Sequence, residues 1–195
     1  DFSGTNVQVE GIDEADIIKT DGQYFYVFDL NRNAIYIVGA KGSDMKLTAT
    51  VPVSEEFDGN ETGREMYLLN NRLVLLVSGF RTVEKTEYSK NAGEDIPYIR
   101  ECAVTKIVTY DVSDRTAPKL LSCLEQDGRM ITSRCAEGKV YVISSYENYN
   151  VWFKPSDGAR ERTGENVVDY TAYIPTVEGE PVAADCIYIS KEPLS

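Results

Sequence analysis

A run of five apolar residues, Tyr24 to Phe28, follows the turn signal Asp21-Gly22 after one intervening residue, Gln23. Aromatic and β-branched side chains fit a pleated strand, and an unbroken run of them indicates burial on both faces. Asp hydrogen-bonds its own backbone two residues on, and Gly adopts a positive φ without steric cost. The stretch predicts a β-hairpin that must be covered on both sides, which favours small antiparallel sheets stacked face to face.

The same hairpin pattern occurs twice more along the chain. Asn70-Asn71 precedes the run LVLLVS of residues 73–78, and Glu137-Gly138 precedes VYVIS of residues 140–144. Further strands are predicted at residues 17–18, 34–39, 46–53, 65–69, 105–112, 119–124 and 130–136. Four short strands in roughly forty residues match the size of a propeller blade.

The fold class predicted is therefore all-β, with antiparallel four-stranded blades that make up a partial β-propeller. The blade-like units are placed at about 12–53, 64–124 and 129–190, the last one incomplete. Two polar stretches, 81–101 and 147–169, interrupt the spacing and are predicted to be inserted loops. Residues 185–190 (DCIYIS) are predicted to form another strand, and no helical pattern longer than one turn is found.

The composition excludes several classes of site and partner. The net charge of -12 disfavours nucleic acid and anionic lipid, which bind basic surfaces. The chain has no His, so it cannot supply a Ser/His/Asp or Cys/His arrangement by itself. No apolar run approaches the ~18 residues of a membrane span. Because residue 1 is Asp and no signal peptide is seen, a processed or trimmed chain is expected.

The four cysteines, Cys102, Cys123, Cys135 and Cys186, contain no C-x-x-C pair, which argues against a zinc or redox motif. Their disulfide state is left open between two alternatives: thiols buried in strands, or one or two disulfides.

Residues 7–27, VQVEGIDEADIIKTDGQYFYV, closely resemble the opening motif of a largely uncharacterised family of bacterial secreted proteins. Members of that family carry a β-propeller domain distantly related to WD40 repeats. Two later stretches resemble it as well: 109–120, and Ser133-Arg134 followed by 138–142. The resemblance implies an N-terminal part of a longer domain and a secreted or cell-envelope location on the extracellular side, and it brings no catalytic residues.

An acidic cluster near the start of the chain is a candidate cation site. It comprises Glu10, Asp13, Glu14, Asp16 and Asp21. Closely spaced carboxylates can hold Ca²⁺, although the spacing does not match an EF-hand loop. The alternative is that these carboxylates cap turns, as is also expected for Asp111 and Asp114. No cofactor is predicted, with Ca²⁺ kept as the minor alternative.

Three loop aromatics, Tyr149, Trp152 and Phe153, together with the neighbouring Tyr146, are candidate ligand contacts. Folding back over a blade face is the alternative. Lys19 is placed either in a channel or at a solvated strand end. Asn60-Glu61-Thr62 matches a glycosylation sequon, a pattern that is common by chance.

The function predicted is a non-enzymatic extracellular binding or scaffold module whose partner is a protein or glycan on the cell surface. The alternative is a secreted hydrolase or lyase that uses carboxylates at a channel mouth. Because a truncated array of blades exposes sheet faces, self-association of the chain is also expected.

Overall fold

The computed structural model describes residues 12–13, 15–41, 44–53, 62–89, 94–146 and 174–187, with only the backbone described at 12–13, 62–64, 83–89 and 94–100. Within these ranges the strands are β1 (Ile12–Asp13), β2 (Ile18–Thr20), β3 (Tyr24–Asp29), β4 (Ala34–Lys41), β5 (Asp44–Pro52), β6 (Thr62–Leu69), β7 (Arg72–Ser89), β8 (Glu94–Asp111), β9 (Lys119–Asp127), β10 (Arg129–Ala136), β11 (Lys139–Ser145), β12 (Thr176–Val177) and β13 (Glu180–Pro181). A 3-10 turn, Ala184–Cys186, follows β13.

The strands form three sheets in which the paired strands are antiparallel. The first sheet has the order β2-β3-β4-β5, and the second has the order β6-β7-β8-β9 with β12 and β13 added beyond β9. The third sheet has the order β1-β10-β11 within the described residues. The all-β, antiparallel prediction is thus confirmed, including the three related hairpins β2–β3, β6–β7 and β10–β11.

Each of the three hairpin turns uses a residue with positive φ. Gly22 has a φ of 89°, Asn70 one of 55°, and Glu137 and Gly138 have values of 52° and 72°. Gly and Asn tolerate this region best, which is why turn pairs of these types mark the hairpins in the sequence.

The second sheet is covered on both faces, which explains its unbroken apolar run. Leu73, Leu75 and Val77 face the first sheet, in a core that includes Tyr26, Phe28, Ile35, Ile37, Val51 and Val53. Val74 and Leu76 point the other way and pack with Tyr67 and Cys135 against the third sheet. Because side chains alternate along a strand, a run without polar residues requires a neighbour on each side.

The stretch 81–101 is not an inserted loop, and that prediction was wrong. β7 and β8 stay paired in continuous register from Arg72↔Asp111 to Ser89↔Glu94. The charged residues of this stretch belong to paired strands that extend the second sheet.

The strand predicted at 185–190 is also not observed at its start, because Asp185 and Cys186 lie in the 3-10 turn and residues from 188 lie outside the described ranges. The short hairpin β12–β13 joins the second sheet through Val177↔Gln126.

The division into units at 12–53, 64–124 and 129–190 stays a prediction. No helix in the described ranges is long and apolar enough to cross a membrane.

Residues 12–20, named here the edge segment, connect all three sheets. Ile12 and Asp13 pair with Ala136 and Cys135 of the third sheet. Asp16 forms an isolated bridge with Met66 of the second sheet. The segment then becomes β2, the edge strand of the first sheet. The three sheets therefore meet along a common edge that this one segment follows.

Candidate functional site

The loop aromatics named as ligand contacts, Tyr149, Trp152 and Phe153, lie outside the described residues. Tyr146 is described and half-buried directly after β11. Asn60 also lies outside the described ranges, so the sequon is not placed.

Of the acidic cluster, the structure describes the side chains of Asp16 and Asp21. Glu10 and Glu14 are outside the described ranges, and Asp13 is described by its backbone alone. Asp16 Oδ1 accepts a hydrogen bond from the Ile17 N–H over 2.6 Å. Among the described residues, no group of three or more His, Cys, Asp or Glu side chains is placed to hold a metal.

Asp21 holds the first hairpin turn and links two sheets. Its Oδ1 accepts from the backbone N–H groups of Gln23 (3.0 Å) and Tyr24 (2.8 Å). Its Oδ2 accepts from the Tyr26 hydroxyl (3.1 Å) and from Arg115 Nη2 (3.0 Å). Both carboxylate oxygens are therefore engaged in structural contacts, which supports the turn-forming interpretation over a cation ligand.

Arg115 supplies the second half of this link. Its Nε donates to Tyr26 Oη and its Nη1 to Asn71 Oδ1, each over 3.1 Å. The guanidinium also lies 5.8 Å from the ring centroid of Tyr24, within cation–π range. One side chain thus joins the turns of the first and second sheets.

The loop between β8 and β9 presents Arg115 in this orientation. Asp111 Oδ1 accepts from the Ser113 N–H over 2.8 Å, and Asp114 Oδ1 accepts from the Thr116 N–H over 2.9 Å and its hydroxyl over 2.6 Å. These bonds hold the pKa of both carboxyls below its usual value. The expectation that Asp111 and Asp114 form turns is confirmed.

The electrostatics of the link follow from burial and close partners. Burial raises the pKa of Asp21, but the hydrogen bonds from Gln23, Tyr24, Arg115 and Tyr26 outweigh it and leave that pKa lowered. Burial and the nearby Asp21 charge raise the pKa of Tyr26 to about 12. The pKa of Arg115 is also raised, because its bonds to Asp21 and Tyr26 exceed the opposing effect of burial. The carboxylate is thus ionised and the phenol neutral at neutral pH.

A second polar cluster lies near the common edge of the sheets. The Tyr67 hydroxyl and Ser133 Oγ are 2.8 Å apart, and Ser133 Oγ donates to Glu65 Oε1 over 2.8 Å. Lys19 is buried, with its ammonium 5.7 Å from the Tyr67 ring centroid. Lys19 is therefore not a solvated strand end, and its side chain reaches from β2 of the first sheet to Tyr67 of the second sheet.

A third cluster fastens the β12 hairpin to the second sheet. Arg81 bonds Glu125 Oε1 over 2.6 Å and Asp127 Oδ1 over 2.8 Å. Asp127 Oδ2 in turn accepts from the N–H and hydroxyl of Thr176, both over 2.8 Å. This cluster lies at the opposite end of the strands from the hairpin turns.

A cleft opens between the second and third sheets at the end of the strands where the hairpin turns lie. Its volume is about 520 Å³, and its lining comprises Leu69, Asn70, Asn71, Arg72, Val74, Ile107, Thr109, Gly138 and Val140. Amide, guanidinium and hydroxyl groups thus surround an apolar floor. A concave surface with a few polar groups above apolar side chains is the usual chemistry of a ligand site.

The four cysteines, all in the described part of the chain, form no disulfide in the structure. Cys135 is buried, Cys102 and Cys123 are half-buried, and Cys186 is exposed. Cys102, Cys123 and Cys135 are thus thiols in strands, of which only Cys135 is buried, and Cys186 is a thiol in the 3-10 turn.

Sequence reasoning did not find Arg115 or the cleft. Arg115 stands in the stretch SDRTAP, whose residues indicate only a turn, and the side chains that it bonds are 44 to 94 residues distant in the chain. The one available signal was a lone cation between turn-forming carboxylates, which does not identify its partners.

Comparison with known proteins places the fold in a family. Residues 2–195 match the family described as "Beta propeller domain". An uncharacterised protein of the archaeon Methanocaldococcus jannaschii is 28% identical over 142 residues, which is 73% of this chain and 17% of that protein. The chain thus spans about a sixth of that relative's length. No solved structure matches the chain. With its stacked antiparallel sheets and a match over nearly its whole length, the chain belongs to the beta propeller domain family and forms part of a propeller.

Proposed function

We propose that the chain is a non-enzymatic binding or scaffold module of a β-propeller, which presents the turn end of its sheets to a protein or glycan. The cleft between the second and third sheets carries this proposal. The amides of Asn70 and Asn71 and the Thr109 hydroxyl can exchange hydrogen bonds with hydroxyl or amide groups of a ligand, and Val74 and Val140 can contact its apolar atoms.

The environment of Asp21, a carboxylate in the first hairpin turn, supports a binding role over catalysis by carboxylates. Asp21 receives four hydrogen bonds and its pKa is lowered, which suits a permanently ionised structural group. A general acid needs the opposite environment, one that raises the carboxyl pKa towards neutrality.

The site of action we propose is the extracellular side of the cell, in the secreted or envelope fraction. The net charge of -12 is compatible with neutral or cationic surface partners. Protease added to intact cells tests this location. We expect it to remove the protein and to leave a cytosolic marker intact.

Binding is tested with the labelled chain on arrays of neutral and acidic glycans and of surface proteins. We expect a narrow set of ligands, bound at least tenfold more weakly by Thr109→Val and Arg72→Met. Arg129→Met is the matched control, because Arg129 is exposed at the opposite end of the third sheet.

Two results would contradict the proposal. One is the absence of any bound ligand that the cleft variants weaken. The other is turnover of glycoside, ester or polyuronide substrates that is abolished by changing one carboxylate of the chain.

A further inference from the structure

The amide of Asn71, at the turn end of the cleft, has a fixed orientation. Arg115 Nη1 donates to Asn71 Oδ1 over 3.1 Å, and because a guanidinium has donors only, the amide oxygen must be the atom that faces Arg115. The backbone carbonyl of Asn71 is also engaged, since it accepts from the Val112 N–H over 2.8 Å. The NH₂ group of Asn71 is therefore the part of this side chain left for a ligand, and it can only donate.

Arg72 adds a second set of donors to the lining of the cleft. Its side chain is exposed and makes no salt bridge with another described residue. Register places Arg72 beside Asp111, which lies beside Lys119, so this row carries two cations and one anion. Glu137 and Lys139, which flank the opposite wall, offset each other's charge. The described residues that line the cleft include no Asp or Glu, so its polar side suits an anion.

The floor of the cleft is aliphatic. Leu69, Val74 and Ile107 of the second sheet and Val140 of the third form it, and the described lining contains no aromatic ring. An aliphatic side chain placed on this floor removes apolar area of both partners from water, whereas a sugar ring would put hydroxyl groups against apolar atoms. The floor therefore favours a peptide side chain over a glycan.

We propose that the cleft binds the C-terminal carboxylate of a peptide partner whose last residue is Val, Leu or Ile. This inference rests on the binding function proposed above and names one class of ligand for it. A C-terminal residue carries its carboxylate and its side chain on the same carbon, so a single residue can meet the donors of Asn71 and Arg72 and the aliphatic floor together. Capture of a C-terminal carboxylate by convergent N–H donors is a known mode of peptide recognition.

The test uses the full chain and a library of peptides that end in Val, Leu or Ile as the free acid, with the preceding positions randomised. The same library made with C-terminal amides is the ligand control, because it keeps every side chain and removes the terminal charge. We expect a subset of the free acids to bind and their amide forms to bind at least about tenfold more weakly, since a hydrogen bond to a charged group is the stronger one.

Asn71→Asp distinguishes this arrangement from general damage to the cleft. The variant keeps the shape of the side chain and an acceptor for Arg115, but it replaces the NH₂ donors with a second carboxylate oxygen. Free-acid peptides should therefore bind at least about tenfold more weakly. Asn31→Asp is the matched control and should bind as the wild type does, because Asn31 is exposed in the turn between β3 and β4, at the opposite end of the first sheet. Circular dichroism confirms the fold of each variant.

Three results would each overturn this proposal: free acids and amides bound equally, an Asn71→Asp variant that binds like the wild type, or a library in which no free acid binds. A glycan that binds the chain and is weakened by Thr109→Val and Arg72→Met would then leave the proposed binding function standing and reject only the peptide ligand. If neither peptides nor glycans nor surface proteins bind at the cleft, both proposals fail.

Discussion

Arg115 Nη2 and Asp21 Oδ2 lie 3.0 Å apart, although 94 residues separate them in the chain. The contact joins the first hairpin turn to the loop between β8 and β9, and both side chains are about one-fifth exposed. Partial burial makes such a pair stronger than an ion pair in water. Hydrogen bonds to the backbone and to Tyr26 also satisfy the polar atoms that the pair itself does not use.

Replacing Arg115 by Met should lower the free energy of unfolding by about 1–3 kcal/mol, because Asp21 and Tyr26 would lose a charged partner. Urea denaturation measures the change. Arg32→Met is the matched control: Arg32 also pairs with an aspartate, Asp29, but its side chain is 72% exposed. No measurable loss is expected there. Equal effects of the two substitutions would contradict the role assigned to Arg115.

Acid should weaken the Asp21 link. The folded-state pKa of Asp21 is lowered from 3.8, so its contribution is complete above that value and is lost as pH falls through the folded pKa. Asp21→Asn should therefore cost stability at pH 6 and progressively less as the pH falls below 3.8. The readout is the difference in unfolding free energy between wild type and variant at each pH. A difference that does not shrink in acid would refute this assignment.

A rise to strongly alkaline pH should also lower the stability of the protein, in this case through ionisation of Tyr26. Its folded-state pKa is raised from 10.0 to about 12, so the contribution is complete below 10 and is lost as pH rises through 12. Tyr26→Phe should therefore lose less unfolding free energy than the wild type between pH 9 and pH 11.5. Denaturation of both proteins at these two pH values measures the difference. Tyr141→Phe, at an exposed position on β11, serves as the control.

The pair Tyr67 and Ser133 should be energetically coupled, since their hydroxyls meet in a buried site between the second and third sheets. Tyr67→Phe and Ser133→Ala should each destabilise the protein, and the double variant should lose less than the sum. A coupling energy of about 0.5–1.5 kcal/mol is expected from a double-mutant cycle. Additive losses would mean that the two hydroxyls do not interact.

Gly128 and Gly138 both have positive φ but differ in the space around them. A Cβ at Gly128 would lie 2.6 Å from the Ser145 carbonyl oxygen, whereas one at Gly138 would meet nothing within 4 Å. Gly138→Ala should cost only backbone strain, about 1–2 kcal/mol. Gly128→Ala adds a backbone clash, so thermal melts should show a clearly larger loss. Similar melting temperatures for the two variants would disprove the clash.

Local signals decided most of the secondary structure. The pair Asp21-Gly22 and the run Tyr24 to Phe28 predict a hairpin from neighbouring residues alone, because turn geometry and strand preference depend on nearby atoms. The run 73–77 likewise indicated burial on both faces, which stacking between two sheets confirms. The prediction for 81–101 was wrong because charged and turn-forming residues are typical of loops and do not exclude a pair of strands. Only its register with a distant partner strand distinguishes the two.

The relations between the sheets were decided by the tertiary structure. Nothing near Asp21 in the sequence points to Arg115, and nothing near residues 12–16 indicates that they pair with β10 and Met66. The cleft likewise exists only because the turn at 70–72 and Gly138 of the next sheet stand opposite each other. The amino-acid sequence determined hairpins whose strands need cover on both faces. Which hairpins cover one another, and which polar groups then meet, depends on contacts between residues far apart in the chain, which local patterns do not encode.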